Sequence, residues 1–302
     1  MSMLDFSVAD YRHVVFPDAD AGRRVPVNFS PTQAIQIQVP STNRGLSHDE
    51  SECIQWLLGR AGLRLADYRP ETVKRRLPAC MRALRVGSMR EVRSVVTRHP
   101  ELLQTAISAL VIGVSSFFRD SSVFACIRDK ILPEILSENP APRIWSAGCS
   151  DGAELYSMAM LLADRGAMEG SELIGTDCRP DAIHHATMGS FTPDGILAVP
   201  EEMRSRYFEF NGRVWRARSF LRGGVQWCCA SVLEARAPGT WDLILCRNMA
   251  IYMHPTAACR LWDQLQQCLR PGGVLVLGKA ERPHGARELK PVAPCIFRRD
   301  RR

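Results

Sequence analysis

The sequence predicts an α/β fold in which a largely parallel sheet follows a small all-helical domain. Over residues 143–177, an apolar strand leads through a short glycine-bearing turn and a helix to a second apolar strand that ends in a carboxylate. Further on, residues 241–246 (WDLILC) are nearly all apolar, which is typical of a strand buried on both faces of a parallel sheet. Residues 46–114, by contrast, show helical spacing of apolar residues.

The first strand-turn-helix-strand unit has the features of a nucleotide site. Small turn residues, here Gly148 and Gly152, let a ligand approach the backbone, and the terminal carboxylate of Asp177 can accept hydrogen bonds from ribose hydroxyls. The glycine spacing is G-x-x-x-G and fails the G-x-G-x-x-G template of dinucleotide sites. The unit therefore favours an adenosine-containing cofactor without a pyrophosphate, such as S-adenosylmethionine.

The composition predicts a reduced, cytoplasmic protein. The chain has 302 residues, of which 46% are hydrophobic. It shows no apolar run approaching the ~18 residues that span a bilayer, so we expect no direct membrane insertion. The start of the sequence lacks the apolar segment of a secretory signal. The eleven cysteines include no C-x-x-C pair, so we expect neither a metal site nor disulfides.

The positive charge is concentrated in one segment. The net charge is +7, and residues 60–98 carry eleven Lys or Arg against three Asp or Glu. This segment is either a solvated helical surface or a patch that docks an acidic partner, which could be a nucleic acid or an acidic protein helix. Charge alone does not separate these interpretations.

Proline and glycine positions suggest the domain boundaries. A capping box at Ser47 starts the helical region, and helices are predicted at 72–84, 89–98 and 102–112. Residues 33–39 could add an edge strand within the N-terminal extension. The predicted parts are an extension at 1–45 that could be disordered, a basic helical domain at 46–114, a connecting segment at 115–142, and a cofactor-binding domain at 143–302 with a β-insertion near 208–227.

Five motifs carry a family resemblance: SSFFRD, RIWSAGCSDGAELYSMAM, IGTD, DLILCRNMAIYM and LRPGGVLVLGKAE. In order and approximate spacing, they resemble the motif series of the CheR family of chemotaxis receptor methyltransferases over about residues 50–298. The resemblance implies a class I SAM-dependent methyltransferase (Rossmann-like) sheet, preceded by a small all-helical domain and carrying a short β-subdomain insertion. It also implies methyl transfer from S-adenosylmethionine to glutamate carboxylates of chemoreceptors, with S-adenosylhomocysteine as the product.

The resemblance implies roles for nine residues. Glu154 would bind the methionine amino group of the cofactor, and Asp177 its ribose hydroxyls. Arg119 and Tyr252 would place the substrate carboxylate as the catalytic residues. The remaining cofactor contacts would come from Ser115 and again Arg119 at the methionine end, Ser231 and Val232 beside adenine, and Cys246 and Arg247 in the pocket wall.

Several of these residues also have simpler interpretations. Asp177 could cap the following helix, and Glu154 could be a first-turn charge favoured by the helix dipole. Arg119 could pair with Asp120, and Tyr252 could be a core aromatic residue. Because receptor methylation helices are glutamate-rich, the basic helices within 60–98 would dock them, and no nucleic acid partner is expected.

Departures from the family pattern keep two alternatives open. Gly113, Ala153 and Ser231 replace family residues, and the carboxylate of Asp151 could repel the cofactor's own carboxylate. These changes would fit a regulatory or scaffold protein that binds the cofactor with weak or no catalysis. A nucleic-acid methyltransferase is less favoured, because residues 248–252 (NMAIY) lack the prolines of the N/D-P-P-Y/F motif.

Overall fold

The structure is a computed structural model that describes residues 15–17, 24–26, 45–111, 113, 115–233 and 240–301. Strands β1 (Val15–Pro17) and β2 (Arg24–Pro26) pair as an antiparallel ribbon. The edge strand proposed at 33–39 and most of the predicted extension lie outside the described residues.

The predicted basic region is a helical domain with its own apolar core. Ser47 caps the first helix, because its side chain accepts the Glu50 N–H and its backbone N–H donates to the Glu50 carboxylate. The helix predicted over 72–84 is instead two helices, separated at Arg75 and Arg76. The five helices are α1 (His48–Gly59), α2 (Pro70–Lys74), α3 (Leu77–Leu84), α4 (Met89–Arg98) and α5 (Leu103–Leu110).

A continuous helical segment links this domain to the sheet. It consists of α6 (Ser121–Cys126), a π-helical turn (Ile127–Ile131) and α7 (Leu132–Glu138). Its buried side chains, such as Ile127 and Ile131, pack against one face of the sheet.

The main sheet has seven strands: β3 (Arg143–Ala147), β4 (Glu172–Asp177), β8 (Val225–Cys229), β9 (Trp241–Cys246), β10 (Leu269–Leu277), β11 (Leu289–Ala293) and β12 (Ile296–Arg299). Their order in the sheet is β11-β12-β10-β9-β3-β4-β8. Neighbours from β10 through β9, β3 and β4 to β8 are parallel, and β12 pairs antiparallel with β10 and with β11. The predicted α/β fold, with a helical domain before it, is confirmed.

Alternate residues of the central strands enter two different cores. Leu243 and Leu245 of β9 belong to the core that contains α6, α7 and α8 (Ala153–Ala163). Ile244 and Cys246 belong to the core on the opposite face, which contains α12 (Pro255–Cys268). The sheet is therefore covered on both faces, as the apolar WDLILC run predicts.

The β-insertion differs from its predicted range. A hairpin does form within it, from β6 (Phe208–Phe210) and β7 (Trp215–Ala217), but a third strand, β5 (Ser190–Phe191), pairs with β7 from outside the range. Helices α10 (Glu201–Tyr207) and α11 (Ser219–Gly223) flank this small sheet. The end of the range, including Trp227, belongs to strand β8 of the main sheet.

The helical domain is hydrogen-bonded to the loop that follows β9. Arg69 donates its backbone N–H to the Tyr252 carbonyl at 3.0 Å, and His254 donates its own to the Asp67 carbonyl at 2.8 Å. Ser108 also donates to the Asp181 carboxylate at 2.7 Å, which ties α5 to α9 (Pro180–Met188). These bonds hold the helical domain against the carboxyl edge of the sheet.

Among the described residues, no helix combines the length and apolar character needed to cross a membrane.

The packing around Trp227 generates a stability prediction. A Cβ added at Gly175, in the middle of β4, would lie 2.4 Å from the Trp227 ring. We expect Gly175→Ala to destabilise the protein by about 1–3 kcal/mol because the core cannot accept the extra methyl group. The measurement is thermal unfolding, where each kcal/mol lowers the midpoint by roughly 2–4 °C in domains of this size.

Gly223→Ala is the matched control, because an added Cβ there meets nothing within 4 Å. Its midpoint should stay at or slightly above that of the wild type. Equal midpoints for Gly175→Ala and the wild type would contradict the packing argument.

Candidate functional site

A cavity lies where the carboxyl ends of β3, β4, β8 and β9 meet the helical domain. Parallel strands end at the same edge of a sheet, so the loops that follow them converge there. Eight of the nine predicted site residues line this cavity: Ser115, Arg119, Glu154, Asp177, Ser231, Val232, Arg247 and Tyr252.

The ninth predicted residue, Cys246, has a different place. It is fully buried in the core on the α12 face and does not appear in the cavity wall that the described residues form. Burial, with lesser contributions from Glu281 and Glu154, raises the pKa of its thiol well above the ordinary value. Cys246, the last residue of β9, therefore packs in the core on the α12 face, which corrects its prediction as a pocket-lining residue.

The second glycine of the turn after β3, Gly152, is required by packing as well as by backbone conformation. Gly152 has φ +86°, a left-handed value that favours glycine, and a Cβ there would lie 2.5 Å from the Trp227 ring. Gly148 has φ +77° and lines the cavity. Only the first glycine of the G-x-x-x-G pattern thus faces the ligand space, and the second lets Trp227 pack beneath the turn.

Asp177 is the most heavily hydrogen-bonded of the predicted residues. Its carboxylate accepts the Ser150 N–H at 2.9 Å and the Arg179 N–H at 3.0 Å. The Arg179 guanidinium also donates to both oxygens, from Nε at 3.1 Å and from Nη2 at 3.3 Å. The N-cap of α9 is Arg179 rather than Asp177, so the carboxylate fixes the turn between β4 and α9 instead of capping the helix.

Arg179 is a cavity residue that the sequence analysis missed. Burial disfavours its charge, but the Asp177 carboxylate raises the pKa of the guanidinium above its ordinary value. Nη2 also donates to the Ser150 hydroxyl at 3.1 Å. A Cβ at Gly113 would lie 1.9 Å from Nη2, so this glycine leaves the space that the arginine fills. The pair gives no signal in the sequence because Gly113 and Arg179 come together only in the folded chain.

Glu154 and Arg247 form the second polar centre of the cavity. Arg247, whose side chain is 2% exposed, donates to Glu154 at 3.0 Å and to Asp120 at 2.7 Å. It also donates to the Arg119 carbonyl at 2.8 Å. Glu154 accepts a further bond from the Ser146 hydroxyl at 3.1 Å. Glu154 is therefore held by specific partners and is more than a charge in the first turn of α8.

Asp120 connects this centre to the turn that follows β10. Its carboxylate contacts Lys279 at 2.9 Å in addition to Arg247. Burial opposes ionisation, but the hydrogen bond from Lys279 and the charges of Arg247, Lys279 and Arg119 outweigh it and lower the pKa of this carboxyl. The charges at this end of the cavity thus belong to one connected cluster.

The helical domain supplies a wall that the sequence analysis did not assign to the site. Leu58, Leu63, Tyr68, Thr72 and Val73 face the same cavity as Asp177 and Tyr252. Burial raises the pKa of the Tyr68 hydroxyl far above its ordinary value, with further contributions from Cys178, Asp67 and Asp177. An all-helical domain with its own core gives no sequence signal that one of its faces closes a pocket.

The cavity is suited to a ligand with a cation, a diol and an apolar ring. Carboxylates at Glu154 and Asp177 can accept from an ammonium group and from hydroxyls. Within the described part of the chain, the buried Arg247 Nε and Asn248 Oδ1 have no hydrogen-bond partner. Because buried polar atoms are normally satisfied, these two atoms fit a polar ligand beside them. Val232 and the leucines of the helical domain offer apolar contacts.

Comparison with known proteins is consistent with this geometry. The family model "CheR methyltransferase, SAM binding domain" matches residues 113–295, and "CheR methyltransferase, all-alpha domain" matches residues 50–111. A chemotaxis protein methyltransferase of Vibrio cholerae is 28% identical over 252 residues, which cover 80% of this chain and 91% of the relative.

Two further relatives are matched over very different shares of their own length. A chemotaxis protein methyltransferase of Listeria monocytogenes is 28% identical over 221 residues, which cover 73% of this chain and 84% of the relative. An uncharacterised 104.1 kDa protein of Rhodobacter capsulatus is 29% identical over 222 residues, but these span only 23% of that relative and 71% of this chain.

The all-alpha model lies over the helical domain, and the SAM-binding model lies over the connecting helices and the sheet as far as residue 295. The predicted cofactor, S-adenosylmethionine, is the one that the larger matched domain binds. The chain belongs to the CheR methyltransferase family.

Proposed function

We propose that this protein transfers the methyl group of S-adenosylmethionine to glutamate carboxylates of chemoreceptor-like proteins and forms glutamate methyl esters. The proposal is carried by one observation. A single cavity contains both the carboxylates assigned to the cofactor, Glu154 and Asp177, and the residues assigned to the substrate, Arg119 and Tyr252. The relatives named as chemotaxis protein methyltransferases support the choice of reaction and substrate class.

Methyl transfer to a carboxylate depends on alignment of the carboxylate with the methyl group more than on acid-base catalysis. When bound, the cofactor supplies a sulfonium methyl group that a nucleophile can displace in line. A glutamate carboxylate is already ionised at neutral pH, so no general base has to act. Arg119 keeps the incoming carboxylate charged and oriented, and Tyr252 donates a hydrogen bond to it. The helical-domain wall excludes water from the cavity, which strengthens both interactions.

The basic surface of the helical domain continues to the cavity. The lining of a shallow groove beside it includes three cations and one acid, together with two uncharged residues and Thr72, which it shares with the cavity: Arg69, Lys74, Arg75, Glu71, Gly45 and Ile251. Lys74 and Arg75 are exposed. A glutamate-rich helix lying in this groove would have its negative charges opposite these cations and its target residue next to Tyr252. This arrangement supports an acidic protein partner.

One of the observations that favoured a weakly catalytic regulator, the carboxylate of Asp151, no longer supports it. Asp151 accepts the Ala153 N–H at 3.3 Å at the start of α8, and it is not among the described residues that line the cavity. Its charge is therefore used at a helix N-terminus, where a carboxylate is favourable. The substitution at Gly113 is accompanied by Arg179, which fills the space beside it.

The ribose assignment predicts a binding defect. We expect Asp177→Asn to weaken S-adenosylhomocysteine binding at least tenfold, because hydrogen bonds to a charged acceptor contribute about 1.5–3 kcal/mol. Isothermal titration calorimetry measures the affinity directly. Asp194→Asn, which alters an exposed carboxylate outside the cavity, is the control and should bind as the wild type does. Equal affinities for Asp177→Asn and Asp194→Asn would refute the assignment.

If Arg119 acts on the substrate, its removal should lower kcat much more than it lowers the affinity for S-adenosylhomocysteine. Arg119→Ala should lower kcat by roughly a hundredfold, since misplacement of a reactant costs about that much. The dissociation constant for S-adenosylhomocysteine should change less than fivefold. Labelled methyl transfer to a receptor cytoplasmic fragment gives kcat, and Arg128→Ala, an exposed arginine in the segment that follows, is the control. A larger loss of cofactor affinity than of kcat would assign Arg119 to the cofactor alone.

If the groove docks the substrate, reversing its charges should change substrate affinity but not cofactor affinity. The double variant Lys74→Glu and Arg75→Glu should raise KM for the receptor fragment about tenfold at low salt, with a smaller effect at high salt because ions screen exposed charges. Cofactor affinity should stay unchanged. Lys130→Glu reverses an exposed charge on the connecting helix and is the control. The groove is not the docking surface if both variants raise KM equally.

A further inference from the structure

Glu281, in the turn after β10, is a buried carboxylate to which the sequence analysis gave no role. Its side chain is 3% exposed. Oε2 accepts the backbone N–H groups of Asn248 and Gly278, each at 2.8 Å, and Oε1 accepts that of Ala250, also at 2.8 Å. A carboxylate that accepts three backbone N–H groups is an anchor for the chain segments that carry them.

Two of the three donors belong to the segment that directly follows β9. Asn248 has φ +57°, a left-handed conformation that a non-glycine residue keeps only where its surroundings impose it. Ala250 begins the 3₁₀ turn Ala250–Tyr252. The carboxylate thus holds the unusual backbone at Asn248 and the start of the turn that presents Tyr252.

The other end of the same segment is held by the helical domain. The Tyr252 carbonyl accepts the Arg69 N–H at 3.0 Å, and Tyr68 forms an isolated antiparallel bridge with Met253. Tyr252 and Asn248 both line the cavity, whereas Glu281 is not among the described lining residues. Among the described residues, Glu281 therefore acts on the site through the backbone that it anchors, and two of its three donors lie in this segment.

We propose that Glu281 is a positioning residue for methyl transfer. It fixes the start of the segment 248–253 so that Tyr252 and Asn248 face the reacting groups at a set distance. This inference rests on the proposed function for its catalytic consequence, although the anchoring itself does not depend on activity. In Glu281→Gln the side-chain volume is kept, but one acceptor oxygen becomes an NH2 donor that faces backbone N–H donors.

Two measurements on the full chain test this proposal. The first is steady-state methyl transfer to a receptor cytoplasmic fragment, with S-adenosylhomocysteine affinity measured in parallel. We expect Glu281→Gln to lower kcat at least tenfold, with KM and cofactor affinity each within about threefold of the wild type. Glu288→Gln is the matched control, because Glu288 is an exposed glutamate of the same connection that pairs with Arg299. It should behave as the wild type in both assays.

The second measurement is backbone amide hydrogen exchange, which needs no turnover. Glu281→Gln should speed exchange at 248–253 by tenfold or more while α8 and β3 remain as protected as in the wild type. The proposal is overturned if exchange at 248–253 is unchanged, if kcat is unchanged, or if protection falls throughout the molecule. If the wild type itself transfers no methyl group, the proposed function fails, and exchange alone then decides whether Glu281 anchors the segment.

Discussion

The buried guanidinium of Arg247 is the interaction on which the arrangement of the site depends. It joins three parts of the chain that are distant in sequence: the end of β9, Glu154 at the start of α8, and the turn at Asp120 and Arg119. A cation that is 2% exposed is stable only with such partners, since its desolvation is costly. Without it Glu154 would lose its ion pair, whereas Asp120 would keep its contact with Lys279. The ion pairs of Arg247 therefore also fix how β9, α8 and the turn at Asp120 are placed relative to one another.

Much of this organisation could be predicted because it follows from repeating patterns. The apolar runs of β3, β4 and β9 mark buried strands, and the carboxyl ends of parallel strands must share an edge, which brings Glu154, Asp177 and Arg247 together. The capping box at Ser47 marks the first helix of the helical domain. Family motifs added the identity of the residues along that edge. Their individual roles toward cofactor and substrate stay predictions.

The features that the sequence did not predict depend on contacts between segments that are distant in the chain and carry no periodic sequence pattern. Strand β5 has only two residues, too few to show an alternation, so the small sheet was assigned to the wrong range. The sequence analysis gave Arg179 no role, because its position over Asp177 depends on the space that Gly113 leaves. Cys246 alternates away from the cavity because successive residues of a strand face opposite sides. Glu281 follows a strand in an ordinary turn, and only the folded loop supplies its three donors.

The pair formed by Asp177 and Arg179 has a consequence for how tightly any ribose could be held. A hydroxyl that bonds to this carboxylate must replace a bond that already exists, so the observed affinity is the intrinsic affinity reduced by the population in which the arginine has moved aside. Cofactor and product have the same ribose and would be weakened by the same factor. An arginine in this position therefore does not help the protein choose between them. It would lower the occupancy of both at a given concentration, so the ratio of the two in solution would decide which one is bound.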